Sequence, residues 1–151
     1  MRILIDADGC PVTGLTVRIA DEYNIKVIIV SDTSHIFNFE NADIITVGKG
    51  VNSADLALAN IVVENDLVIT QDYGLSAIVL SKKGIVINQN GLIINEKNID
   101  SLLATRHISM KARMSKKHLK GPSKRTNQQN INFEKSLRLS LIHISEPTRL
   151  G

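Results

Sequence analysis

The sequence predicts an α/β protein, a three-layer fold in which a mainly parallel five-stranded sheet is covered by helices and followed by a basic C-terminal tail. Short apolar runs alternate with stretches of helical spacing over residues 1–112, as in consecutive βαβ units. With 151 residues, 43% of them hydrophobic, the chain can build one domain with a core of its own.

Two features of the composition predict where the protein works. No apolar run reaches the roughly 18 residues of a membrane span, so no membrane association is expected. The single cysteine, Cys10, cannot form an internal disulfide, which is typical of a reducing compartment. We therefore expect a cytoplasmic location.

The first half of the chain contains three predicted strands. Residues 3–7 and 27–30 are short apolar runs with no periodic polar gaps, as in strands covered on both faces, and residues 43–47 are predicted to form the third strand. Pro11 suits the first turn of a helix between the first two strands. The polar residues 31–41 are predicted to form a loop.

The second half repeats the alternation with strands at residues 66–70 and 85–87. Ser53 is predicted to cap a helix before the fourth strand. The expected buried face of that helix consists of Leu56, Ala59 and Val63. Another helix should end near Gly84, and residues 96–112 should be helical and close the compact body.

Charge divides the chain into an acidic body and a basic tail. Residues 1–104 contain 7 Lys and Arg against 13 Asp and Glu, whereas residues 105–151 contain 11 against 2. Such a division indicates a polyanionic partner, and a solvated, disordered extension is the alternative. Residues 113–138 are accordingly assigned to a basic tail that includes the start of a truncated helix.

Residues 139–149 resemble the translation of a transposon-end sequencing adapter over all eleven positions. Such segments are excluded from fold reasoning, so residues 139–151 are predicted to be an artefact. The alternative is a natural apolar helix end, because Leu137, Leu141 and Ile144 would share one helical face.

Four aspartates fall where parallel strands end. Asp6 and Asp8 are two residues apart at the end of the first strand, so their carboxylates point to the same side while the strand stays extended. Asp72 follows the fourth strand, and Asp55 lies in the first turn of the helix after the third. Open α/β sheets bind ligands at the carboxyl ends of their strands. Carboxylates within about 4–6 Å repel one another, and a hard cation such as Mg²⁺ or Mn²⁺ removes that conflict. Helix-dipole and turn-forming roles are the alternatives for Asp55 and Asp72.

Three ordered motifs give the chain a specific family resemblance. The opening run resembles that of the bacterial YaiI/YqxD-like proteins of the PIN-like superfamily: Asp6-Ala7-Asp8-Gly9-Cys10-Pro11-Val12. Two later motifs of that family resemble segments of this chain, Ser53-Ala54-Asp55 and Asp66-Leu67-Val68-Ile69-Thr70-Gln71-Asp72-Tyr73-Gly74-Leu75. The Gly-Pro in the basic tail of that family is similar to Lys120-Gly121-Pro122. The resemblance covers roughly residues 1–137, with Gly9 where alanine is usual.

The resemblance implies a metal-dependent ribonuclease, the typical activity of PIN-like proteins. Their acids follow the first strand, lie near a central helix and follow the fourth strand, which are the places of Asp6, Asp55 and Asp72. Asp8 supplements Asp6, and all four are candidate metal ligands and catalytic residues for Mg²⁺ or Mn²⁺. A further acid common in many PIN nucleases has no clear counterpart.

Two other functions stay open. One is a nucleic-acid-binding module that keeps the acidic fold without turnover. The other is a phosphatase of the haloacid-dehalogenase type. The run Asp6-Ala7-Asp8-Gly9 resembles the opening motif of that family, in which Asp6 would be the nucleophile. Cys10 stands where that family has threonine or valine, and Pro11 starts a helix where it inserts a hairpin.

Basic side chains are the candidates for substrate binding. His35 follows the second strand at the predicted ligand-binding edge and is a candidate for contact with a phosphate or a metal, with a loop hydrogen bond as the alternative. Lys49 is a candidate to neutralise a substrate phosphate, with simple solvation as the alternative. The tail adds Lys116, Lys117, Lys120 and Arg125. RNA or another nucleic acid is the expected partner, and a homo-oligomer is left open.

Overall fold

The structure, a computed structural model, describes residues 1–32, 39–48, 53–105 and 124–145, and the side chains of these residues through 142. One sheet of six strands forms its centre, in the spatial order β3-β2-β1-β4-β5-β6. The strands are β1 (Arg2–Asp6), β2 (Lys26–Asp32), β3 (Ala42–Val47), β4 (Leu67–Ile69), β5 (Ile85–Ile87) and β6 (Ile93–Ile94).

The sheet confirms the predicted α/β class and differs by one strand. β1 to β5 pair in parallel, and β6 pairs antiparallel with β5. A turn from Asn88 to Gly91 reverses the chain before β6, and Gly91 takes a φ of +87° that glycine adopts without strain. A two-residue strand is too short to show a sequence period, so five strands were predicted and six are present.

Helices cover both faces of the sheet, as predicted. They are α1 (Thr13–Glu22), α2 (Ser53–Ile61), α3 (Tyr73–Ser81), α4, described over residues 99–105, and α5 (Asn127–Ser145). On one face, Ile3 and Ile5 of β1 share a core with α1 and α5. On the other, Leu4 shares a core with α2, α3 and α4. Alternate side chains of β1 therefore feed two cores, which explains its uninterrupted apolar sequence.

The helix α5 extends the compact body beyond the boundary predicted at residue 112. Phe133, Leu137 and Leu141 are fully buried in the core formed by β1 and α1. Their spacing of four residues places them on one helical face, as the alternative of a natural helix end predicted for Leu137 and Leu141. The predicted boundary between residues 138 and 139 falls inside α5, while the adapter origin of residues 139–151 stays a prediction.

Two contacts fasten α5 to the rest of the protein. The hydroxyl of Ser136 donates to the carbonyl of Gly91 at 2.6 Å, and a Cβ on Gly91 would lie 2.5 Å from the carbonyl oxygen of Asn132. Arg138 contacts Glu22 of α1 at 2.6 Å. The turn before β6 and the end of α1 therefore hold this helix against the rest of the protein. Among the described helices none has the length and apolarity needed to cross a bilayer.

Candidate functional site

An acidic pocket of about 470 Å³ opens at the carboxyl edge of the sheet. Five half-buried aspartates line it: Asp6, Asp8, Asp32, Asp55 and Asp72. The four predicted acids are therefore brought together, and Asp32 joins them. All five side chains offer carboxylate oxygens, which makes the pocket strongly acidic.

The topology of the sheet explains why these residues meet. Strand order reverses between β1 and β4, because β2 and β3 extend the sheet on one side of β1 while β5 extends it beyond β4. Asp6 ends β1, and Asp72 follows β4 by a short turn, so the two residues flank this reversal. Open α/β folds bind ligands at such a point, outside the carboxyl ends of the strands.

Asp32 lines the pocket although it was not among the predicted site residues. β2 continues through Asp32, so this residue ends β2 as Asp6 ends β1. Its backbone N–H donates to both carboxylate oxygens of Asp8, at 3.3 and 3.2 Å. The apolar run before Ser31 was the available signal, because a buried parallel strand that ends in an acid places that acid at the ligand-binding edge.

Asp8 reaches the pocket from a turn rather than from the strand. β1 ends at Asp6, and Gly9 follows Asp8 with a φ of +74°, a conformation that glycine adopts readily. The Gln71 side-chain amide donates to the carbonyl of Gly9 at 2.8 Å and ties this turn to the end of β4. Asp6 and Asp8 thus line one pocket as predicted, but the extended strand expected to align them stops at Asp6.

Asp55 occupies the first turn of α2, where its carboxyl group hydrogen-bonds with Asp72 and with Asp6. Partial burial, followed by these two neighbours, raises the pKa of Asp55 to about 7. Burial also raises the pKa of Asp6, with the negative charges of Asp72 and Asp8 adding to the effect. At neutral pH the cluster therefore retains protons that isolated aspartates would have released.

Thr70 and Asp72 complete the network at the end of β4. The Thr70 hydroxyl donates to Oδ2 of Asp6 at 2.7 Å, and the backbone N–H of Asp72 donates to the Thr70 oxygen at 3.0 Å. Asp72 is the N-cap of α3, because its Oδ1 accepts a hydrogen bond from the N–H of Leu75 at 3.0 Å. The predicted turn-forming role of Asp72 and its place in the pocket are thus compatible.

The pocket has the ligand chemistry of a hard divalent cation but not a finished metal site. Across the described ranges, no three Asp, Glu, His or Cys side chains already converge in the arrangement of a bound ion. The oxygen donors nevertheless fit Mg²⁺ or Mn²⁺, which take carboxylates together with several waters. Binding would require side-chain adjustment within the pocket, because Asp55 is hydrogen-bonded to both Asp6 and Asp72.

The predicted substrate-binding residues are mostly outside the described residues. His35, Lys49, Lys116, Lys117 and Lys120 all belong to this group. Arg125 is described, and its guanidinium donates to Asn130 at 2.7 Å, to Asn90 at 2.8 Å and to the carbonyl of Gln89 at 2.6 Å. These bonds join the segment before α5 to the turn before β6, so Arg125 has a structural role, and its contact with substrate stays a prediction.

Comparison with known proteins identifies relatives over nearly the whole chain. The family model described as "Uncharacterized BCR, YaiI/YqxD family" matches residues 4–143. A UPF0178 protein of Exiguobacterium sibiricum is 47% identical over 136 residues, which cover 90% of this chain and 93% of that protein. A UPF0178 protein of Clostridium acetobutylicum is 44% identical over 140 residues, covering 91% and 95%.

A third relative, a UPF0178 protein of Natranaerobius thermophilus, is 40% identical over 145 residues, which cover 95% of this chain and 98% of that protein. No solved structure matches the chain. The family model spans all five pocket aspartates, and the relatives have similar lengths. These matches establish the family that the sequence motifs suggested. The chain belongs to the bacterial YaiI/YqxD family.

Proposed function

We propose that this protein is a divalent-metal-dependent phosphodiesterase that cleaves nucleic acid, with RNA as the favoured substrate. The observation that carries the proposal is the gathering of five aspartates in one pocket at the reversal point of the sheet. Within the described chain, neither Asp6 nor Asp55 forms an ion pair with a Lys or Arg side chain. A cation from solution is the natural neutralising partner for such a cluster.

Each aspartate has a distinct task in this proposal. Asp6 and Asp72 would hold Mg²⁺ or Mn²⁺ directly, and Asp8 and Asp55 would hold it directly or through water. The N–H of Asp32 orients the carboxylate of Asp8. When bound, such a cation lowers the pKa of a coordinated water and stabilises the negative charge that develops on a phosphodiester.

The choice of a polyanionic substrate rests on the charge of the chain. Residues 105–151 carry 11 Lys and Arg against 2 Asp and Glu, whereas the acidic pocket on its own would repel a phosphodiester. A basic tail attracts the backbone of nucleic acid without reading its sequence. We therefore expect weak sequence preference and a strong dependence of binding on salt.

The haloacid-dehalogenase alternative is less compatible with the chain path. That family inserts a hairpin after its first strand, whereas here residues 7–12 lead from β1 directly into α1. Asp6 also accepts a hydrogen bond from the buried Thr70 on the oxygen Oδ2. A non-catalytic binding module has the same acidic pocket and basic tail, so turnover itself must be measured.

The test is cleavage of a labelled single-stranded RNA by the full chain with Mn²⁺ and, separately, with EDTA. We expect cleavage with Mn²⁺, none with EDTA, and at least a hundredfold slower cleavage by Asp6→Asn and by Asp72→Asn. Asp21→Asn is the matched control, because Asp21 is an exposed aspartate of α1 outside the pocket. RNA binding without cleavage would contradict the proposed turnover and favour the binding module.

A further inference from the structure

Thr70 is a buried polar residue that the proposed function leaves without a role. It follows β4 directly and is 2% exposed, yet its hydroxyl contacts two residues of the acidic pocket. The oxygen lies 2.7 Å from Oδ2 of Asp6 and 3.0 Å from the backbone nitrogen of Asp72. One hydroxyl group thus joins the ends of β1 and β4 across the reversal point of the sheet.

The direction of both hydrogen bonds follows from the chemistry of the groups. A backbone N–H can only donate, so the Thr70 oxygen must accept from Asp72. A hydroxyl has a single hydrogen, and the remaining partner, the Asp6 carboxylate, is an acceptor. With the Asp6 carboxylate ionised, Thr70 therefore donates to Asp6 and accepts from Asp72.

These bonds fix the two aspartates relative to each other. The bond from Thr70 restricts the rotation of the Asp6 carboxylate, and the bond to Thr70 anchors the backbone from which the Asp72 side chain extends. The Asp72 carbonyl in turn accepts from the hydroxyl of Ser76 at 2.8 Å in the first turns of α3. Asp72 is consequently held from its N–H, its carbonyl and its carboxylate.

We propose that Thr70 is the positioning residue of the divalent-cation site, holding Asp6 and Asp72 at the mutual orientation that the ion requires. The inference rests on the proposed function for the existence of that ion. Partners that hydrogen-bond to metal ligands typically account for 10- to 100-fold in metal affinity. The hydroxyl, rather than the size of the threonine, is the group that matters here.

The experiment measures Mn²⁺ binding to the full chain by titration calorimetry and by the Mn²⁺-dependent rise in melting temperature. Thr70→Val keeps the shape and removes the hydroxyl, and we expect it to weaken Mn²⁺ binding about 10- to 100-fold. Thr70→Ser restores the hydroxyl, and we expect its affinity to lie within about threefold of the wild type, since both bonds can form again. RNA cleavage is measured separately.

Thr16→Val is the matched control. Thr16 is also a fully buried threonine, and its hydroxyl donates to the carbonyl of Val12 at 2.7 Å within α1, away from the pocket. We expect this variant to lose some stability and to bind Mn²⁺ with unchanged affinity. Equal weakening by Thr16→Val and Thr70→Val would overturn the inference, because the loss would then reflect destabilisation of the fold.

The other outcomes separate the inference from the proposed function. Thr70→Val with wild-type Mn²⁺ affinity overturns the role of Thr70 and leaves the phosphodiesterase standing. Weakened Mn²⁺ binding with serine rescue, in a protein that never cleaves RNA, supports Thr70 and removes the phosphodiesterase. A wild type that binds no Mn²⁺ overturns both. If Thr70→Val does not fold, a folded Thr70→Ser that binds Mn²⁺ more than tenfold weaker is sufficient to overturn the inference.

Discussion

The two edges of the sheet treat buried carboxylates in opposite ways. At the amino edge, Asp66 is 2% exposed and is paired with Arg2. Nη2 of Arg2 lies 2.7 Å from Oδ2 of Asp66, and Nε lies 3.1 Å from Oδ1. The N–H of Val63 donates to the same carboxylate at 2.9 Å. At the carboxyl edge, Asp6 and Asp55 have other aspartates as neighbours and no such arginine within the described part of the chain.

This difference separates a carboxylate that is neutralised within the fold from carboxylates that have no cationic side chain beside them in the described part of the chain. Burial of a charge is costly unless a partner and hydrogen bonds compensate it, and the amino edge meets that condition internally. The carboxyl edge meets it in part by retaining protons, as the raised pKa values of Asp6 and Asp55 indicate. A cluster of carboxylates that still repel one another is a candidate for binding cations, whereas the Arg2–Asp66 ion pair stabilises the fold.

The largest expected effect comes from breaking the amino edge. Arg2→Met keeps much of the aliphatic stem and leaves Asp66 buried without its cation, so we expect the free energy of unfolding to fall by about 3 kcal/mol. Urea unfolding at neutral pH measures the loss. Lys26→Met is the control, because it breaks a pair with Asp43 whose side chains are 59% and 65% exposed and should change stability by less than about 0.5 kcal/mol.

Equal losses in the two variants would contradict the distinction between the edges, since the buried pair would then behave as a surface pair. A loss confined to Arg2→Met would support it.

The residues of the acidic pocket were predicted from the sequence more completely than the ends of the strands around it. Buried apolar runs end at Asp6 and just before Asp72, and parallel strands place their carboxyl ends at one edge, so topology alone brings these residues together. Asp32 escaped because its polar neighbours suggested a loop, although β2 continues through it. A strand ends where its hydrogen bonds end, which local composition does not report.

Helical faces were harder to predict because a small phase error exchanges the buried and exposed sides. In α2 the expected inward residue Ala59 is buried, but Leu56 is 62% exposed and Leu58 is buried in its place. Val63, also expected to face inward, lies beyond the end of the helix and is 55% exposed. The helix is apolar on several sides, so its period alone did not identify the face that packs on the sheet. The buried stripe of α5 was set aside for a different reason. Leu137 and Leu141 were expected to share a face only if the helix end is natural, and the resemblance of residues 139–149 to an adapter excluded them from fold reasoning.

The next prediction tests whether the carboxyl edge retains protons. The pKa of Asp55 is raised from 3.8 to about 7 in the folded protein, so the folded state binds more protons than the unfolded state between these values. The free energy of unfolding in metal-free buffer should therefore fall as the pH rises from about 4 to about 7. Because Asp55 is partly exposed to solvent, we expect its share to be about 1–2 kcal/mol.

Urea unfolding in EDTA at several pH values measures this dependence, and Asp55→Asn isolates the contribution of one group. The variant should lose less stability than the wild type over the same pH interval. If the stability of the wild type and of Asp55→Asn depended on pH in the same way, Asp55 would have the same pKa in the folded and the unfolded state. The charge repulsion assigned to the carboxyl edge would then be absent.

The smallest expected effect is a gain in stability at that edge. Asp6→Asn removes a half-buried charge next to Asp8 and Asp72, and the amide oxygen can still accept the hydrogen bond from Thr70. We expect the free energy of unfolding in EDTA at pH 8 to rise by about 1 kcal/mol, because a repulsion between like charges disappears. The gain should shrink at pH 5, where protons already relieve part of the repulsion.

Mn²⁺ then distinguishes relieved repulsion from a lost ligand. The ion should raise the melting temperature of the wild type and leave that of Asp6→Asn unchanged, because a neutral amide is a poor replacement for a carboxylate at a hard cation. Asp21→Asn, which alters an exposed aspartate of α1, should follow the wild type in both buffers. A loss of stability for Asp6→Asn in EDTA would mean that the carboxylate of Asp6 stabilises the fold as Asp66 does, and the contrast between the two edges would no longer hold.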